Sequence, residues 1–176
     1  MSFATPLFLI FFAIAAAVCF ALPHKWQSAF LLLASLVFYM WALPAYGLLV
    51  LATAALGYFA AVLIDRESSK PRRKVLLALS VAFFAAVLLF FKYLDFFAGL
   101  FSPGASAGFS LVQPLGISFY TLQLTGYLVD VYRGERPERD FISFALFISF
   151  FPQVISGPIA RAGELLPQFK KERRFE

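Results

Sequence analysis

Apolar runs long enough for a bilayer, broken at prolines and charged clusters, set the pattern of this chain. A membrane-spanning helix needs about 20 apolar residues at about 1.5 Å of rise each, and five stretches approach that length. Residues 3–22 form the first, closed by Pro23. Residues 28–43 form the second, closed by Pro44, with Trp26, Tyr39 and Trp41 suited to the membrane interfaces. The third, 46–64, runs into the charged segment 65–74, and the fourth, 75–91, can extend to Phe101 past Lys92 and Asp95. A loop of small residues, 102–108, precedes the fifth at 114–132. The pattern predicts an all-α polytopic transmembrane bundle of about five spans, one unit over 1–176 with no separate soluble domain.

A sixth stretch, 141–156, is nearly pure apolar but short for a crossing and interrupted by Pro152, whose ring removes a helix hydrogen bond. A full crossing would also place Arg161, Lys170, Lys171, Arg173 and Arg174 on the opposite side from the other basic residues. Either this is a re-entrant or in-plane element, covered by protein or a water-filled cavity as irregular backbone at membrane depth requires, or it is a short sixth span.

Composition agrees with the pattern. Hydrophobic residues make up 61% and charged residues 14%, and the mean hydropathy is +0.81, against an apolar share of about 45–50% in soluble domains. The first apolar run reads as a retained anchor rather than a secretory signal, because residues 1–24 hold no Lys or Arg and the run exceeds the apolar core of about 7–15 residues that signals use.

The basic residues set the orientation. With the N-terminus outside, Lys25, the cluster Arg66, Lys70, Arg72, Arg73 and Lys74, and the trio Arg133, Arg136 and Arg139 all face the cytoplasm, while Lys92 falls near the other side. The expected location is the plasma (inner) membrane, multi-pass. The net charge of +5 is that of cytoplasmic loops facing anionic lipid, so no nucleic-acid partner is invoked.

Polar chemistry concentrates in 114–134 and 149–161. At 100° per residue, Tyr120, Gln123, Tyr127 and Asp130 share one side of the fifth helix, and Ser118, Thr121, Thr125 and Tyr132 share roughly the opposite side. A helix polar on two sides belongs inside a bundle. Gly116 and Gly126 would allow close helix approach, and the hydroxyls read first as interhelical hydrogen bonds. Asp130 is either hydrated near the cytoplasmic end or paired with Arg133. Lys92 and Asp95, three apart, read as a structural ion pair. Cys19 reads as a buried thiol and His24 as an interfacial histidine; one of each rules out a multi-cysteine or multi-histidine metal site, and no metal is expected.

The ordered motifs FFKYLDFF (90–97), QPLGISFYTLQLTGYLVDVYRGE (113–135), DFISFALFISFFPQVISGPIAR (140–161) and LLPQF (165–169) resemble the membrane-bound O-acyltransferase family, in the bacterial branch that includes alginate O-acetylation proteins. The stretch 28–42 matches the early family pattern as well. The resemblance implies a many-helix enzyme that moves an acyl group, acetyl above all, from a cytoplasmic donor such as acetyl-CoA or an acylated carrier protein to a hydroxyl of an envelope polysaccharide, with no bound cofactor. It also implies a family histidine beyond the motifs present here, so His24 is not promoted and no catalytic residue is assigned in this chain. The chain is expected to be the N-terminal portion of such an enzyme, partnered by the bilayer, the acyl donor, the remaining C-terminal part or a second chain, and an extracytoplasmic acyltransferase. Candidates for a tunnel or donor entrance are Gln123, Tyr127, Asp130, Pro152, Gln153, Gly157, Pro158 and Arg161. Arg161 either meets negatively charged groups of the donor or anchors the segment at lipid phosphates. The alternative from another class is a noncatalytic membrane scaffold or transporter-like protein with a cavity at the broken segment. Phosphate-loop, HExxH and GxSxG motifs are absent from the sequence.

Overall fold

A computed structural model describes residues 6–101, 114–156 and 161–170, and within them the backbone alone at 42, 93–101, 154–156 and 170. The described residues form eight helices and no strand: α1 (Pro6–Ala21), α2 (His24–Ala42), α3 (Pro44–Arg66), α4 (Lys70–Phe101), α5 (Ile117–Arg133), α6 (Phe141–Ser149), α7 (Phe151–Ser156) and α8 (Ala162–Lys170).

Local chemistry explains the boundaries. Leu43 is extended (φ −157°, ψ 128°) and Pro44 opens α3 at its first turn, where a missing N–H costs nothing. Gly134 (φ 113°) closes α5; its N–H reaches the Val131 carbonyl at 3.1 Å and the Glu135 N–H reaches that of Asp130 at 3.1 Å, a left-handed glycine cap. Asp140 caps α6 by accepting from the N–H groups of Ile142 at 3.3 Å and Ser143 at 3.0 Å.

α3 is the central helix and packs against α2, α4, α5 and α6. Its buried stripe, Gly47, Val50, Ala54, Gly57, Ala61 and Ile64, recurs at three- and four-residue spacing and carries small side chains, which let apolar helices approach closely. A second apolar cluster joins Ala15, Ala34, Phe38 and Phe151, with the Phe38 and Phe151 rings 5.4 Å apart. α3 and the first part of α4, Lys70–Lys92, are long and apolar enough to cross a membrane, and the chain is a membrane protein. Of the other three expected spans, α1 is described over 16 residues, α2 opens on the polar stretch His24, Lys25, Gln27 and Ser28, and α5 has 17 residues with Gln123 and Asp130 inside it.

Helix ends that carry the basic residues gather at one end of the bundle. Arg139 pairs with Asp65 at 3.0 Å, the Tyr58 hydroxyl donates to the Arg139 carbonyl at 2.7 Å, and Arg73 donates to the carbonyls of Val131 and Tyr132. His24 and Lys25 line a cavity with Asp140 and Ser143. Arg161 lies beside Asp130 and Arg133, so the chain that leaves this end at Asp140 is back at it by Arg161.

Several sequence expectations change. Tyr39 is not interfacial: it is 1% exposed, whereas Trp26 and Trp41 are 57% and 60% exposed. Pro152 does not break the apolar stretch; Phe150 does (φ −58°, ψ 98°), and Pro152 sits in the first turn of α7, where its lost N–H is harmless. Gly126 makes no close approach, since a Cβ there meets nothing within 4 Å; Gly116 serves instead as a left-handed residue (φ 71°) before α5. The Thr125 hydroxyl bonds back to the Thr121 carbonyl at 2.9 Å in its own helix, as Ser35, Thr53 and Ser80 do in theirs, rather than across helices.

Candidate functional site

The C-terminal half of α5 and the start of α8 enclose a cavity of about 350 Å³. Its lining includes Gln123, Gly126, Tyr127, Asp130 and Arg133 from α5, with Arg161 and Ala162. Four of the sequence candidates, Gln123, Tyr127, Asp130 and Arg161, therefore lie on one cavity. The 3-4-3 spacing puts the α5 members in register; Arg161 arrives only because the chain returns to the basic end. Arg133, read in the sequence as a topology marker, joins them.

Each side chain is held differently. Gln123, 3% exposed, donates from Nε2 to the Phe147 carbonyl of α6 at 3.3 Å, and its Oε1 is buried without a hydrogen-bond partner among the described residues. The Tyr127 hydroxyl accepts from the Glu138 N–H at 2.8 Å, which ties the 134–140 connection to the cavity, and its ring packs 4.9 Å from that of Phe144. Asp130 is half-buried and Arg133 and Arg161 are exposed. No salt bridge joins Asp130 to Arg133 among the described residues, and the cavity lining carries two arginines, Arg133 and Arg161, to one carboxylate, Asp130, an excess of positive charge suited to phosphate or carboxylate oxygens. A second cavity of about 500 Å³ shares Tyr127 and Ala162 and adds Arg136, Glu138 and Arg139. The two adjoin at the basic end.

Other candidates fall elsewhere. Pro152 lines an apolar cavity of about 240 Å³ with Phe12, Cys19 and Phe169, and Gln153 lies on α7, apart from the Asp130 cavity. Gly157 and Pro158 lie outside the described residues, and so does the side chain of Asp95 in the expected Lys92 pair. His24 sits in the separate cavity beside Asp140. Among the described residues no three metal-binding side chains cluster.

No protein-family model matches the sequence, and no solved structure matches it. The protein named peptidoglycan O-acetyltransferase of Helicobacter pylori is 34% identical over 176 residues, which cover 84% of this chain and 33% of that protein. The protein named probable alginate O-acetylase AlgI of Pseudomonas putida is 32% identical, covering 96% of this chain and 37% of its own length. Its namesake in Pseudomonas aeruginosa is also 32% identical, over 96% of this chain and 34% of that protein. This chain thus spans about a third of the length of the curated relatives it matches. Along most of its residues, the chain is thus similar to O-acetyltransferases of the membrane-bound O-acyltransferase family.

Proposed function

We propose that this chain forms part of a membrane enzyme that transfers an acyl group, acetyl by the names of its relatives, from a cytoplasmic donor to a hydroxyl of an envelope polysaccharide. The cavity between α5 and α8 receives the polar, negatively charged part of the donor, either acetyl-CoA or an acylated carrier protein. One observation carries this assignment: Arg133 and Arg161, distant in sequence, line the same cavity above the buried amide of Gln123. Arginine forks match phosphate oxygens in geometry and charge, and the polar side of α5 leads inward from them.

In this scheme the basic end is cytoplasmic, as the positive-inside bias favours, and the N-terminus is outside in the inner membrane. α6, nine residues long, reaches about 14 Å into a hydrocarbon layer about 30 Å thick, and the return of the chain by Arg161 supports a re-entrant α6–α7. Acyl transfer to a hydroxyl needs a base and a donor to the developing oxyanion. Neither role is assigned to a residue of this chain; both are assigned to the rest of the enzyme.

The test is kinetic. In the active enzyme that contains this segment, Arg161→Ala is expected to raise the donor KM about tenfold, equivalent to about 1.4 kcal/mol. An unchanged KM and kcat in a well-folded preparation would refute donor contact and leave Arg161 as an anchor to lipid phosphates.

A further inference from the structure

Two tyrosines from different helices are buried in the core of the bundle. Tyr39 of α2 and Tyr120 of α5 are 1% and 0% exposed, belong to the same apolar cluster, and lie within electrostatic reach of each other. Neither hydroxyl has a hydrogen-bond partner among the described residues. Gln123, three residues along α5 and on the same side as Tyr120, likewise presents a buried, unpartnered Oε1. Gln123 also lines the cavity beside Asp130 and Arg161, so it stands between that cavity and the tyrosines.

Each buried polar group left dry costs about 1–3 kcal/mol, and three of them would consume a large part of a typical stability of about 5–15 kcal/mol. The rings of Phe144 and Phe147 in the same cluster offer no partner. Water is the smallest group that can bond each phenol, and buried waters characteristically make about three such bonds.

We propose that the hydroxyls of Tyr39 and Tyr120 bind ordered water in the bundle core, and that Gln123 links this site to the cavity at the basic end. The polar side of α5 is then a hydrated track about 15 Å long from Asp130 to Tyr120, from ten residues at helical rise. This inference rests on burial and hydrogen bonding and does not depend on the acyltransferase assignment.

Radiolytic hydroxyl-radical footprinting of the purified protein in lipid nanodiscs tests it, because radicals born from bound water label buried side chains beside that water. Tyr39 and Tyr120 are expected to be labelled several-fold faster than Phe144 and Phe147, which are as deeply buried. In Tyr120→Phe, labelling of Tyr39 should fall. If Tyr39 and Tyr120 are as inert as the two phenylalanines, the site is dry or filled by another part of the polypeptide, and the proposal is overturned. The wild-type comparison decides the matter even where the variant fails to fold.

Discussion

Leu124 of α5 rests its side chain on the bare backbone of Gly57 in α3, leaving no room for a Cβ at position 57. Leu124 is 0% exposed, so it has no solvent-facing rotamer to adopt. Gly57→Val should therefore separate α3 from α5 and destabilise the protein by about 1–3 kcal/mol, the usual range for overpacking. The unfolding midpoint in detergent should drop, and Leu124→Ala in the same chain should restore part of it. A midpoint unchanged by Gly57→Val would mean that the two helices are not in contact there.

Arg73 fastens the start of α4 to the end of α5. Its Nη2 donates at 3.2 Å to the carbonyls of both Val131 and Tyr132, and its guanidinium lies 5.7 Å from the centroid of the Tyr132 ring. A cation at a helix C-terminus also meets the negative end of the macrodipole. Arg73→Ala is expected to cost about 1–2 kcal/mol, in line with hydrogen bonds to charged groups, and to speed hydrogen exchange in the last turn of α5. Arg72→Ala, at an exposed neighbouring position, serves as the control and should leave both unchanged.

Membrane orientation is open to direct labelling. Single cysteines introduced into a Cys19→Ser background should react with an impermeant maleimide from the cytoplasm at 65–74 and 133–140, and from outside at 102–108. Reaction of 65–74 from outside would reverse the assigned orientation.

What the sequence disclosed follows the range of the forces involved. The polar side of α5 was legible because helical periodicity is local: Gln123, Tyr127 and Asp130 fall in register by spacing alone. The gathering of basic residues was legible because charge obeys the membrane rather than the fold. Arg161 beside Asp130 depends on the path of the whole 140–161 segment, which periodicity does not encode. Tyr39, near a helix end, has the sequence pattern of an interfacial aromatic, and only packing of α2 with its neighbours reveals its burial. Pro152 drew the break toward itself, although a proline in a first turn is well tolerated and Phe150 holds the irregular backbone. The small-residue stripe of α3, Ala54, Gly57 and Ala61 above all, was present as a signal for the central helix and stood unread among so many apolar neighbours.

Photoaffinity labelling tests the central claim most directly. A photoreactive analogue of acetyl-CoA, or of the acylated carrier where that is the competent donor, would be cross-linked to the active enzyme and the labelled peptides identified by mass spectrometry. The cavity lined by Gln123, Asp130, Arg133 and Arg161 predicts label in residues 122–133 or 161–170, suppressed by excess unlabelled donor and weakened in the Arg133→Ala, Arg161→Ala double variant. Competable label confined instead to residues outside these two segments, such as those around His24 and Asp140, would contradict it.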